Sequence, residues 1–93
     1  MKIVHVEGKD KGKVMIYALS TCIWCRKTKQ LFKDQGIAFD YCDVDLEQGK
    51  DRDEAKSNIL KWNPSISFPT VVINNKDAVL GYEPDEIKEK LGL

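Results

Sequence analysis

The chain has 93 residues, of which 42% are hydrophobic and 32% are charged, with a formal net charge of zero. This length and composition predict a single soluble domain over residues 1–93, in which residues 1–12 form an N-terminal extension or an extra strand. The balanced charge offers no basic surface for nucleic acid, and no segment reaches the ~18 apolar residues of a membrane span. Residues 1–11 lack the apolar core of a secretory signal, so we expect a cytoplasmic protein.

The first half of the chain predicts a strand–helix–strand unit. Residues 2–7 alternate loosely and precede a glycine-containing turn, so they either form a hairpin with the next segment or a loose extension. Residues 14–19 are apolar on both faces, as in a central buried strand. Apolar residues at helical spacing follow, and Gly36 ends that helix. A second strand runs from Ile37 to about Val44.

The second half predicts a helix, a β-hairpin and a closing helix. Residues from about 47 to 62 permit a helix, which the Asn63-Pro64-Ser65 sequence breaks. Residues 70–73 are rich in β-formers and return through a turn to a paired strand over residues 78–80. Pro84, followed by two acids, favours the start of the last helix. This order predicts an α/β fold with a mixed four-stranded sheet and helices on its faces.

Seven acidic residues lie between Asp40 and Glu54, and such a run is usually a solvated loop and helix face. Cys42, within this run, is opposite in phase to Phe39 and Tyr41. We interpret it as a small buried hydrophobe, with an extra redox or metal thiol as the alternative. His5 is interpreted as a surface strand residue, because no carboxylate is tied to it by spacing.

The Cys22-Ile23-Trp24-Cys25 sequence lies where the central strand gives way to the first helix. This junction places Cys22 at the helix start, where unpaired backbone N–H groups and the helix dipole favour a thiolate over a thiol. Cys25, one turn further, is expected to be more buried and to keep its proton. Three cysteines without a secretory signal favour a catalytic or metal-binding pair over a permanent disulfide.

Two thiols at this spacing are suited to a disulfide exchange cycle, in which Cys22 attacks a substrate disulfide and Cys25 resolves the mixed disulfide. The main alternative is a zinc or iron–sulfur site, for which the chain offers Cys22, Cys25, Cys42 and His5 from scattered segments. A third alternative is a binding domain whose cysteines are incidental. We expect no metal, and no cofactor other than a redox-active Cys22–Cys25 disulfide.

Three motifs together resemble the glutaredoxin family over residues 13–93. The Cys pair follows the first core strand as the family's C-P-Y-C does, and Ser67-Phe68-Pro69-Thr70-Val71 is similar to its cis-proline element. Gly81-Tyr82-Glu83-Pro84-Asp85 is similar to a segment of the glutaredoxin-like redoxins that reduce ribonucleotide reductase. The resemblance implies a thioredoxin-like fold with three helices, and a thiol-disulfide oxidoreductase that carries electrons to protein disulfides.

The resemblance also implies which residues form the site. Cys22 and Cys25 would be catalytic, and the substrate-binding residues would be Trp24, Phe68, Pro69, Thr70, Gly81 and Tyr82. A cis bond before Pro69 would leave the backbone of Phe68 free to pair with an extended substrate segment. Trp24, where the family usually has Tyr, would form an aromatic wall over the thiols or pack as an ordinary helix residue.

The chain departs from the family where glutathione is held. Leu19 stands where many glutaredoxins have Lys, and Gly81 is followed by Tyr82 instead of a second Gly. Asp85 is expected to cap the last helix. These departures favour a reductase over glutathione as the electron donor. The expected partners are disulfide-containing proteins, ribonucleotide reductase among them, and we expect a monomer without nucleic-acid or membrane partners.

Overall fold

A five-stranded mixed sheet organises the protein, and the computed structural model describes residues 1–93. The sheet has the order β1-β3-β2-β4-β5, in which β2 and β3 are parallel and the other pairs antiparallel. The strands are β1 (Val4–Val6), β2 (Val14–Ala18), β3 (Phe39–Asp43), β4 (Thr70–Ile73) and β5 (Asp77–Leu80). The four predicted core strands and the extra N-terminal strand are confirmed, and the fold is thioredoxin-like.

Three helices cover the sheet: α1 (Ile23–Asp34), α2 (Gly49–Leu60) and α3 (Pro84–Leu91). Gly36, with a φ of +67°, follows α1, and its N–H donates to the carbonyl of Lys33. A left-handed residue at this position is a common helix end that glycine adopts without steric cost, so the predicted stop is confirmed. None of the three helices combines the length and apolar character that crossing a membrane requires.

Two hydrophobic clusters, one on each face of the sheet, hold the helices in place. Side chains of α1 and α3, such as Phe32 and Ile87, pack with alternate residues of β2 and β4 on one face. Ala55 and Ile59 of α2 pack with Tyr17 and Val72 on the other face. Because successive side chains of a strand point to opposite faces, a strand buried on both faces must be apolar throughout. This accounts for the apolar run of β2, which is central in the sheet.

Strand β1 does not form the hairpin with β2 that we considered from the sequence. It pairs antiparallel with β3, in the register His5 to Asp40. Nδ1 of His5 lies 2.7 Å from a carboxylate oxygen of Asp40, and Nε2 lies 3.3 Å from Glu7. His5 is therefore a surface strand residue as predicted, although, contrary to the reason given for that prediction, it has two carboxylate partners. Glu7 lies two residues away on the same segment and could have been noticed from spacing, whereas spacing does not reveal Asp40 on another strand.

The last helix begins at the predicted residue, but it lacks the predicted cap. Pro84 is its first residue, as expected, but Glu83 occupies the N-cap and makes no side-chain capping hydrogen bond. Asp85 lies within the first turn, so its predicted capping role is wrong. An acid in the first turn still interacts favourably with the helix dipole.

The acidic run over residues 40–54 is not simply a solvated face. Five of its seven carboxylates accept hydrogen bonds from other segments, and Glu47 is only 7% exposed. The five are Asp40, Asp43, Asp45, Glu47 and Asp51. Three of these acids therefore tie β3 and the turn after it to β1, α1 and the loop before α1, and Glu47 and Asp51 hold the first two residues of the chain.

Candidate active site

Cys22 occupies the N-cap of α1, as the sequence predicted. Its backbone is extended, with φ −85° and ψ 120°, and its half-buried sulfur accepts a hydrogen bond from the backbone N–H of Cys25 at 3.3 Å. The first turn of α1 contains no acid. An N–H donor and the positive end of the helix dipole both stabilise negative charge on the Cys22 sulfur.

Cys25 is fully buried in the hydrophobic cluster under α1. Burial, followed by the hydrogen bond with Cys22, raises the pKa of the Cys25 thiol to about 12. The backbone of Leu19 and the ammonium of Lys29 act in the opposite direction. The two cysteines are therefore in different environments: Cys22 is partly exposed at a helix N-terminus, and Cys25 is enclosed and protonated.

The sheet brings Pro69 next to this pair. Strands β2 and β4 are antiparallel with Tyr17 opposite Thr70, so the end of β2, before Cys22, lies beside the start of β4, after Pro69. The Phe68–Pro69 peptide bond is cis, as the resemblance implied. The backbone N–H and carbonyl of Phe68 make no hydrogen bond within the chain, and its side chain packs against both hydrophobic clusters.

Gly81 and Tyr82 complete a groove at the same edge of the sheet. The Gly81 N–H donates to the Pro69 carbonyl at 2.9 Å, which joins the end of β5 to the loop before β4. The rings of Tyr82 and Trp24 stack at 5.8 Å with an interplanar angle of 25°. Trp24, Phe68, Gly81 and Tyr82 line an open groove of about 240 Å³. Trp24 is 51% exposed, so it forms a wall of this groove instead of packing in the core.

Thr70 and Pro69 are the buried residues of the proposed substrate site, and Thr70 is fully buried. Its hydroxyl donates to the Ser67 carbonyl at 2.8 Å and accepts from the Asn63 side-chain amide at 3.0 Å. The same amide group donates to the carbonyl and hydroxyl of Ser67, and the Asn63 carbonyl oxygen accepts from the Ser65 N–H. Thr70 and Asn63 therefore fix the shape of the loop that carries Phe68 and Pro69.

Two structural features near the site were not predicted from the sequence. Asn63 appeared there only as part of a helix stop, and an Asn-Pro pair gives no signal for the network that it makes. The second feature is Asp45, whose carboxylate accepts hydrogen bonds from both the N–H and the hydroxyl of Ser20. These bonds anchor the loop that leads from β2 to Cys22.

The four potential metal ligands are not brought together. Cys42 is fully buried on the opposite face of the sheet from Cys25, and burial, followed by the nearby Glu47, raises its pKa to about 12. His5 lies on the edge strand with its own carboxylate partners. No group of three or more His, Cys, Asp or Glu residues is arranged to hold a metal ion. The geometry therefore does not favour the metal-site alternative.

Comparison with known proteins identifies the family. The glutaredoxin family model matches residues 14–78, which include the Cys pair and the Phe68–Pro69 loop. A glutaredoxin-like 8.6 kDa protein encoded in the rubredoxin operon of Clostridium pasteurianum is 40% identical over 80% of this chain and 91% of its own length.

Two solved structures superpose over nearly the whole chain. The glutaredoxin of Methanosarcina mazei is 48% identical, with a TM-score of 0.92 over 100% of this chain and 90% of the other. The methanoredoxin of Methanosarcina acetivorans is 43% identical, with a TM-score of 0.89 over 92% and 90%. The motifs, the fold and these matches agree, and the chain belongs to the glutaredoxin family of thiol redox proteins.

Proposed function

We propose that this protein is a dithiol oxidoreductase that reduces disulfides in other proteins through a Cys22/Cys25 cycle. The observation that carries the proposal is the contrast between the two thiols. The half-buried sulfur of Cys22 accepts an N–H at a helix N-terminus, whereas Cys25 is fully buried with a pKa of about 12. A nucleophile held at a helix N-terminus and a resolving thiol that keeps its proton suit the two steps of disulfide exchange.

The cycle transfers two electrons. The Cys22 thiolate attacks one sulfur of the substrate disulfide, and the other substrate sulfur leaves as a thiolate and takes up a proton. Cys25 then loses its proton and attacks the Cys22 sulfur, which releases the remaining substrate thiol and leaves a Cys22–Cys25 disulfide. An external donor must return two electrons and two protons before the next turnover.

The groove lined by Trp24, Phe68, Gly81 and Tyr82 supports the proposal that the substrate is a protein. Trp24, Phe68 and Tyr82 supply apolar surface, and the Phe68 backbone has an unused N–H and an unused carbonyl. An extended segment carrying the target cysteine can place side chains on the rings while its backbone pairs with Phe68. Recognition through backbone hydrogen bonds and apolar pockets is a common way of binding extended peptides.

Trapping of the mixed disulfide tests the cycle. Cys25→Ser should accumulate a covalent complex with a disulfide substrate through Cys22, because the resolving step is lost. Cys22→Ser should form no complex and reduce no substrate. Cys42→Ala, which alters a thiol on the opposite face of the sheet, is the matched control and should reduce at the wild-type rate. Full reduction of protein disulfides by Cys22→Ser would disprove the proposal.

We also propose a reductase as the electron donor in preference to glutathione. None of the four residues that line the groove carries a charge, and Leu19 offers no cation for a glutathione carboxylate. Turnover with insulin as substrate should be sustained by thioredoxin reductase and not by glutathione with its own reductase. Ribonucleotide reductase is the first partner to assay, because the segment from Gly81 to Asp85 resembles the redoxins that serve it. Rapid reduction of the oxidised protein by glutathione alone would contradict the choice of donor.

A further inference from the structure

Lys29 differs from the other lysines of α1. Lys27 and Lys33 are exposed, whereas only 16% of the Lys29 side chain is accessible. Its ammonium group lies 2.9 Å from a carboxylate oxygen of Asp43, which is itself 16% accessible, and 4.0 Å from the centre of the Tyr41 ring. A long side chain loses conformational freedom when it is held in this way, so these two contacts fix the position of a positive charge.

This charge is on the same side of the molecule as Cys25. Lys29 follows Cys25 by four residues, which places both on one face of α1, a single turn apart. Tyr41 packs against the cluster that contains Cys25. The charged groups near the ammonium include Asp43 on β3 and Asp45 in the following turn, and Arg26 and Lys33 occupy the neighbouring turns of α1. Lys29 contributes to lowering the Asp45 pKa after the hydrogen bonds from Ser20.

The two members of the Lys29–Asp43 ion pair have opposite effects on the two buried thiols, Cys25 and Cys42. Burial is the main cause of the high pKa of Cys25, and Lys29 acts against it. Burial is also the main cause of the high pKa of Cys42, and Asp43 adds to it. Lys29 therefore favours the charged form of Cys25, whereas Asp43 disfavours the charged form of Cys42, its neighbour in the chain on the opposite face of the sheet.

We propose that Lys29 supplies the positive charge that stabilises the Cys25 thiolate while the mixed disulfide is resolved, and that Asp43 and Tyr41 are positioning residues that hold this charge. The inference rests on the proposed dithiol cycle. In the resolving step, the Cys25 thiol gives its proton to solvent and its electron pair forms the bond to the Cys22 sulfur. The bond from Cys22 to the substrate breaks, and its electron pair leaves with the substrate sulfur, which is protonated. An anion in an apolar cluster needs a nearby opposite charge, and Lys29 provides it.

Stopped-flow mixing of the reduced protein with Ellman's reagent separates the two steps, because each releases one coloured thiolate. The first phase reports attack by Cys22 and the second reports resolution by Cys25. In Lys29→Met, we expect the second phase to slow about tenfold at neutral pH and its pH profile to move upward by about one unit, with the first phase unchanged. Lys29→Arg, which keeps the charge, should stay within about twofold of wild type. Lys33→Met, which removes an exposed charge from the same helix, should match wild type.

The double variant Lys29→Met/Asp43→Asn controls for misfolding of Lys29→Met, because it leaves no unpaired carboxylate at residue 43. It should show the same slow second phase as Lys29→Met. A second phase in Lys29→Met that equals that of Lys33→Met at every pH would overturn the inference. So would equal slowing of both phases, slowing without a displaced pH profile, or a Lys29→Arg variant as slow as Lys29→Met. If the wild type itself shows no second phase, the dithiol cycle fails and not merely the role of Lys29.

Discussion

Replacement of Asn63 by alanine should destabilise the loop that carries Phe68 and Pro69. The Asn63 side chain is 1% exposed, and its amide donates to Ser67 and Thr70 at 2.9–3.1 Å while its oxygen accepts from the Ser65 N–H. The two amide hydrogens and the one acceptor amount to three hydrogen bonds, each worth about 1 kcal/mol net. We therefore expect Asn63→Ala to lower the free energy of unfolding by about 3 kcal/mol.

Urea denaturation followed by circular dichroism measures this loss directly. For a domain of this size, a loss of about 3 kcal/mol corresponds to a Tm lower by about 12–24 °C. Gln48→Ala is the matched control, because Gln48 is an exposed amide at the N-cap of α2 without a capping hydrogen bond, and its removal should change little. A loss below about 1 kcal/mol in Asn63→Ala would refute the conclusion that this buried network holds the loop.

Two further predictions concern pH and local order. The hydrogen bond to Asp40 raises the pKa of His5 in the folded protein, so the stabilisation is present below the ordinary value of 6.5 and is lost as the pH rises through the folded value. The stability advantage of wild type over His5→Gln in urea denaturation should therefore shrink from pH 5.5 to pH 8.5, and an advantage independent of pH would contradict this. The hydrogen bonds from Ser20 lower the pKa of Asp45, so this contact is intact above 3.8 and is lost as the pH falls through the folded value. Asp45→Asn should speed amide hydrogen exchange at Ser20 at neutral pH, and unchanged exchange would show that the carboxylate does not anchor the loop.

The helices and strands, and the environments of Cys22 and Cys25, could be predicted from the sequence because they depend on residues that are close together in the chain. The apolar run of β2, the helical spacing after Cys22 and the stop at Gly36 all reflect local backbone geometry. The position of Cys22 at a helix start and of Cys25 one turn inside follows from the same local pattern. Motif resemblance added the cis bond before Pro69, which no propensity indicates.

Only the tertiary structure determines the contacts between segments that are far apart in the chain. The pairing of β1 with β3 and the carboxylate contacts of the acidic run depend on which segments are neighbours and in which register. Lys29 and Asp43 are separated by 14 residues, and they meet only because α1 crosses back over the sheet beside β3. Spacing along the chain specifies each segment and its faces, but the partner of a charged side chain is determined only when the segments pack together.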